Sequence, residues 1–274
     1  ISEDVAVITA QGGEDFWITV HNGAIAAGKK YNLSIYIRRA GNDKTFLDQS
    51  NAILNAVDNG CKVIIVAPID IAQMELITKL KNKGIPTIFI DRDIGGDREI
   101  IIKTNNFNMG KNAAYEMAKI LSPGSKIALL RMENSLSTTT EREEGFITGA
   151  KEKGLIIALD TYIGTSVGDA RVNTKKALEN IKEIDGIFTP NETTAMGTIA
   201  ALRDLNRSKN IVHIAIDLSD YMKNAIRTNE LYGAFIQKPF DMGYLGVEAA
   251  KKILDNIKIT DIETESEFIT IDNL

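Results

Sequence analysis

The sequence predicts a doubly wound α/β fold with parallel sheets, and three observations predict it. Short apolar runs such as Val63-Ile64-Ile65-Val66 and Thr87-Ile88-Phe89-Ile90 show no polar alternation, so they read as strands covered on both faces. Each run leads through a polar loop into a helical stretch and a glycine stop before the next run. The alternation breaks at Thr104-Asn105-Asn106 and then restarts, so one sheet ends there and a second begins.

The elements follow in order. Val5 to Ile8 is the first strand, Gln11 to Asp15 a turn, and a helix runs from about Phe16 to Lys30. Leu33 to Ile37 is the second strand. The helix from Thr45 to Asp58 presents Phe46, Ile53, Leu54 and Val57 on one face and stops at Asn59-Gly60. Lys62 to Ala67 is a strand, and Asp70 can cap a helix striped by Met74, Ile77 and Leu80 and closed by Gly84. The run Ile85 to Ile90 ends in the charges Asp91, Arg92 and Asp93. A strand from Glu99 to Lys103 completes the first sheet.

The second sheet is read the same way. Helices are expected at Met109–Leu121, Thr140–Lys153, Asp169–Ile181, from Asn191 to Leu205, up to Arg227, and at Phe240–Asn256. Strands are expected at Lys126–Leu130, Leu155–Ile163, Gly186–Thr189, Ile211–Ile216, Leu231–Ile236 and Phe268–Ile271.

Composition bounds the function. The 274 residues suffice for one large domain or two modest ones, and 44% hydrophobic with 25% charged residues is ordinary for a globular chain. A net charge of -5 argues against a general nucleic-acid binder or a basic membrane-surface protein. One cysteine, Cys61, excludes an internal disulfide and a multi-cysteine zinc site, and its place before an apolar run reads as a small buried hydrophobe. No apolar run approaches a membrane span. The chain opens at Ile1 with a strand almost at once, which reads as a processed or trimmed chain, so the lack of a leader says nothing about export.

Ligands of open α/β sheets bind outside the carboxyl ends of the strands. Those ends carry Glu14, Asp15, Phe16 and Trp17; Arg38 and Arg39; Asp91 and Arg92; Asn105; Met132 and Glu133; Asn191; Asp217; and Gln237. Paired donors and acceptors beside aromatic faces are what a polyhydroxylated ligand needs, because each buried hydroxyl must both give and take a hydrogen bond. Bland readings stand beside these. Adjacent Phe16 and Trp17 cannot face one way on a helix, Asn191 and Asp217 can be caps, and Arg142 in a charged helix start is by default a solvated i,i+4 partner.

Phe16-Trp17, Pro68-Ile69-Asp70, Ile85 to Arg92, Arg142-Glu143-Glu144-Gly145-Phe146, Thr189-Pro190-Asn191-Glu192, Ile216-Asp217 and Gln237-Lys238-Pro239 carry a resemblance. In that order, over nearly the whole chain, the sequence resembles the ribose/galactose-type periplasmic sugar-binding proteins (periplasmic binding protein type I), relatives of the effector domain of lactose-repressor-like regulators. The resemblance implies two Rossmann-like lobes joined by a three-strand hinge. The lobes would be residues 1–104 plus 238–266 and residues 105–237 plus 267–274. It implies a sugar clamped between them, with Phe16 and Trp17 on the ring and Asp91, Arg92, Arg142, Asn191, Asp217 and Gln237 on the hydroxyls. Glu14 stands where ribose binders have a neutral amide and glucose/galactose binders an acid, which leans towards a hexose or another ligand wanting an extra acceptor. The family's second aromatic is absent from Gly164 to Asp169, although Tyr162 is nearby. Arg38 and Arg39 also depart from the family, and either a surface role or contact with an acidic or larger ligand would explain them.

Enzyme chemistry finds no support. His21 and His213 have no visible nucleophile motif, and no phosphate loop or metal-ligand spacing occurs. The expectation is an extracytoplasmic binding protein on the periplasmic or outer face of the membrane. It would be monomeric, without cofactor or metal, and peripheral to the membrane through an ABC transporter permease to which it delivers a small-molecule sugar. A sensing domain signalling to a histidine kinase or chemoreceptor is the alternative, and the effector domain of a transcription regulator ranks below it. Replacing Asp217 by Ala is expected to abolish binding and spare the melting temperature of the ligand-free chain.

Overall fold

The computed structural model describes residues 3–10, 14–39, 46–133 and 137–274, without the side chains of Glu14, Phe46 and Ser137. The chain divides into two compact units, Ile1–Thr104 with Lys238–Glu265 and Asn105–Gln237 with Ser266–Leu274.

The first unit contains β1 (Val5–Thr9), α1 (Glu14–Tyr31), β2 (Ile35–Arg39), α2 (Phe46–Asp58), β3 (Val63–Val66), α3 (Met74–Asn82), β4 (Thr87–Ile90) and β5 (Ile100–Thr104). The second contains α4 (Asn106–Ala118), β6 (Lys126–Arg131), α5 (Ser137–Glu152), β7 (Ile156–Tyr162), α6 (Val167–Leu178), β8 (Gly186–Thr189), α7 (Glu192–Asp204), β9 (Val212–Ile216), α8 (Asp220–Arg227) and β10 (Gly233–Ile236). The chain then returns to the first unit for α9 (Pro239–Leu254) and β11 (Ile262–Thr264), and to the second for β12 (Glu267–Thr270).

The first sheet has the order β11-β5-β4-β3-β1-β2, all parallel. The second has the order β12-β10-β9-β8-β6-β7, parallel except for β12 against β10. Both are doubly wound and share one topology, so each has a switch point where the order reverses, beside β1 and β3 in one unit and β6 and β8 in the other.

Successive residues of a strand face opposite ways, and this period of two sorts the cores. Val5, Val7 and Ile65 pack with Val20, Ala24 and Val247 of α1 and α9. Ala6, Ile8 and Ile64 pack on the other side with Ile53 and Ile77 of α2 and α3. In the second unit Ile127 and Leu129 pack with Met109 and Phe146 of α4 and α5, whereas Ala128 and Leu130 pack with Ala170 and Leu202 of α6 and α7.

Bare backbone locks the helix pairs together. A Cβ at Gly23 would lie 2.0 Å from the Phe240 carbonyl oxygen, and one at Gly243 would lie 1.9 Å from that of Val20, so α1 and α9 touch main chain to main chain. The same device joins α4 to α5. A Cβ at Gly110 would lie 1.8 Å from the Arg142 carbonyl oxygen, and one at Gly145 would lie 1.9 Å from that of Phe107.

The structure corrects several boundaries. Glu14 and Asp15 open α1 rather than closing a turn, while Gln11 to Gly13 lie outside the described residues. β2 runs two residues further than expected, so Arg38 and Arg39 belong to the strand. Leu54 is 44% exposed, and α2 buries Gln49 and Ala56 beside the expected Ile53. α4 begins at Asn106 because Asn105 caps it, accepting from the Asn108 N–H. Ser166 likewise starts α6 two residues early. Asp70 caps a short 3-10 turn at Ile71–Gln73 that leads into α3. β11 was not anticipated; three residues with one buried face give little periodic signal. Cys61 is buried, and burial pushes its thiol up to about 11, as an inert hydrophobe should behave.

Candidate functional site

In the first unit the carboxyl end of β4 turns at Asp91. Its φ of 68° lies in the left-handed region, and its N–H donates to Ile102 O of β5 at 2.9 Å. This fold of the backbone exposes Arg92, whose own N–H returns to Ile90 O at 2.8 Å. The ion pair that closes the loop is made one residue on: both Asp93 oxygens meet Arg98, at 3.1 and 2.7 Å, and these bonds hold the Asp93 carboxyl below the usual range.

At the start of α1 the two rings part company. Trp17 is 5% exposed and belongs to the core, while Phe16 is half-buried and meets it edge-on, with centroids 4.8 Å apart and planes at 88°. Trp17 is thus a wall behind Phe16 rather than a second open face, since neighbours on a helix point about 100° apart. One turn on, His21 hydrogen-bonds the buried Thr9 hydroxyl at 2.9 Å. Burial, then nearby Arg39, lowers its pKa. Arg38 is exposed, with its guanidinium carbon 4.0 Å from the centre of the Tyr36 ring, and it donates to Ile37 O at 2.6 Å. The side chain of Glu14 lies outside the described residues.

The second unit gathers more. Arg142, on the first turns of α5, is only 4% exposed and so is no solvated helix partner. The Gly110 and Gly145 contacts press α5 onto α4, which brings Asn106 to Arg142 Nε at 3.0 Å. Nη1 donates to Pro190 O at 2.9 Å and to Asp217 Oδ2 at 3.3 Å. Asp217 ends β9 as Asp91 ends β4: φ is 71°, and its N–H donates to the next strand, to Phe235 O at 2.8 Å. It is not a cap, for Ser219 caps α8. Asn191 does cap α7, accepting from Thr194 N–H at 3.0 Å, and its Nδ2 donates to the Met132 sulfur at 3.0 Å. Glu192 beside it is raised by burial and by Asp217. Gln237 follows β10, half-buried, at the passage out of this unit.

Asn106 and the Pro190 carbonyl escaped the sequence reading, which had placed Met132 at a strand end without a partner for its sulfur. The only signal for Asn106 was the capping motif one residue before it. The Pro190 carbonyl acts through main chain, which sequence patterns do not mark. His213 is wholly buried on β9 against the Thr189 hydroxyl at 2.8 Å, and burial lowers its pKa to about 3, so it is a neutral structural residue. Among the described residues no cluster of metal-binding side chains occurs, and no helix is long and apolar enough to cross a membrane.

The chain as a whole is similar to known proteins. The ribose import binding protein of Bacillus subtilis is 26% identical over 250 residues, covering 89% of this chain and 79% of that protein. A sugar ABC transporter sugar-binding protein from Bacillus halodurans superposes with a TM-score of 0.91 at 21% identity, over 99% of this chain and 98% of the other. A solute-binding protein of an ABC transporter from Agrobacterium vitis, solved with bound D-fucose, gives a TM-score of 0.76 at 26% identity, over 98% and 96% of the two chains. A family model for the periplasmic binding protein domain matches residues 5–258, from β1 to just past α9, and on that match the chain belongs to the periplasmic binding protein domain family.

Proposed function

We propose that this chain is an extracytoplasmic binding protein that captures a monosaccharide-like sugar and delivers it to an ABC importer. The observation that carries the reading is the Arg142 cluster. Asn106, Pro190 and Asp217 already desolvate and orient the guanidinium, so little ordering cost remains for binding. Arg142 is a fixed, charged donor, and Asp217 beside it, one-third exposed, is a charged acceptor. The start of α5 and the end of β9 thus supply both roles that a sugar hydroxyl requires, with charge-assisted bonds about twice as strong as neutral ones. The likeness to a ribose import binding protein and to a solute-binding protein holding D-fucose supports a sugar.

In this proposal Asn191 and Gln237 complete the second unit's share. Glu14, Asp91 and Arg92 give the first unit's polar groups, and Phe16, backed by Trp17, covers one face of the ring. Contacts made by both units exist only in a closed form, so ligand shifts the population towards closure, and the permease reads that form. No residue is assigned a catalytic role, and both histidines are held by threonine hydroxyls.

A thermal-shift panel of pentoses, hexoses, inositols and sugar acids tests the reading. A sugar at a hundred times its Kd adds about 2.7 kcal/mol. For units of this size that is a rise of about 5–10 °C. No shift with any member of the panel would overturn the proposal.

A further inference from the structure

Beside Arg142 the same helix carries a second charge that sugar capture does not use. Glu143 is fully buried. Its Oε2 accepts the Met132 N–H at 3.2 Å, while its Oε1 accepts no hydrogen bond among the described residues. Arg131 Nη1 stands 3.8 Å from that oxygen, too far for a hydrogen bond. The guanidinium is committed elsewhere, to both oxygens of Asp160 at 2.6 and 2.8 Å and to Glu144 at 3.2 Å. Three carboxylates, two from α5 and one from β7, therefore share one guanidinium of β6, and Glu143 has the smallest share. Met132 connects this cluster to the rim, because its N–H rests on Glu143 and its sulfur holds the Asn191 amide.

We propose that Glu143 is a positioning residue: the presence of a proton on its carboxyl sets the place of Met132, and Met132 sets the Asn191 amide, so that ligand capture is tuned by pH. Burial pushes Glu143 up to about 7, against which Arg131 and the Met132 N–H pull down while Asp160 and Glu144 push further up. Ionisation would put a poorly paired charge into a closed site. Arg131 Nη1 is then drawn towards Oε1 and away from Glu144, and the end of β6 moves with it. Asn191 loses its sulfur acceptor. On this proposal the arrangement in which Asn191 is held is that of the neutral acid, so capture is tightest on the acid side and weakens as pH rises. The affinity part of this inference rests on the sugar reading; the movement of Met132 and Asn191 does not.

The experiment is a pH series of 1H–15N spectra on the labelled, ligand-free full chain. The Met132 backbone amide and the Asn191 side-chain amide should shift together with a midpoint of about 7. Glu143→Gln should flatten both. Met132→Leu should keep the backbone response at that position and lose the response of Asn191, which keeps the test alive if Glu143→Gln fails to fold. Amides that do not titrate, or that titrate equally in Glu143→Gln, overturn the proposal. With a sugar drawn from the thermal-shift panel, Kd should weaken about tenfold between pH 6 and pH 8.5, as a one-unit difference in pKa between bound and free forms gives. A flat Kd beside a titrating Asn191 overturns the link to capture. A panel without any binder overturns the sugar reading alone, and the amide titration still decides the role of Glu143.

Discussion

Asp217 does two jobs that a single substitution confounds. It sits at a φ of 71°, where a non-glycine residue costs roughly 1–2 kcal/mol and Asn and Asp are best tolerated. It also pairs with a nearly buried guanidinium. The expectation that Asp217→Ala spares the ligand-free chain therefore gives way to a different one. Asp217→Ala should lower the stability of the ligand-free protein by about 1–3 kcal/mol, because it leaves Arg142 short of a partner and puts Ala in the left-handed region. Asp217→Asn keeps the backbone and one acceptor, so it should cost the fold about 1 kcal/mol or less while weakening sugar binding at least about tenfold through the lost charge. Chemical denaturation and calorimetric titration of both variants separate the two jobs. Equal stability loss in both would show that the backbone conformation is not what distinguishes them.

Helix α5 is placed by the absence of side chains. Gly110 and Gly145 let its backbone touch α4, and that contact aims Arg142 at Asn106 and Pro190. Gly110→Ala forces a methyl to within 1.8 Å of the Arg142 carbonyl oxygen, and backbone cannot yield as a side chain can. Overpacking of this kind costs about 1–3 kcal/mol, or about 3–10 °C in melting temperature, and it should also weaken sugar binding by moving Arg142. Gly168→Ala is the control. It lies in α6 with nothing within 4 Å of the added carbon, so it should be neutral or stabilising by about 0.5–1 kcal/mol. Binding that survives unchanged in Gly110→Ala would refute the positioning of Arg142 by this helix pair.

At the scale of the whole molecule, two buried groups of the second unit pull stability in opposite directions with pH. His213 has its folded pKa lowered to about 3 from 6.5, so its contribution is fully present above 6.5 and is lost as pH falls towards 3. Glu143 has its folded pKa raised from 4.5 to about 7, so its contribution is fully present below 4.5 and is lost as pH rises to about 7. Each effect is on the order of a few kcal/mol, and between pH 4.5 and 6.5 they offset one another. His213→Gln should remove one slope, so its stability should already decline above pH 4.5, where the wild type stays level. Guanidinium denaturation midpoints across pH read this directly, and parallel profiles for the two proteins would refute the assignment.

Local signals along the chain sufficed for the alternation of strand and helix, the doubly wound sheets and the strand ends where polar groups cluster. These depend on neighbours along the chain: unbroken β-branched runs, capping residues and glycine stops. The sequence could offer Arg142, Asp217 and Asn191 as candidates and could separate Phe16 from Trp17 by helical geometry. Only the tertiary structure decided that Arg142 is buried, because its partners Asn106, Pro190 and Asp217 lie 36, 48 and 75 positions away. The same holds for Glu143, whose isolation is a fact about how β6, β7 and α5 share one guanidinium. Periodicity reports which face of an element is apolar; which charged groups are pressed together, and which is left with a single hydrogen bond, is set by packing across the fold.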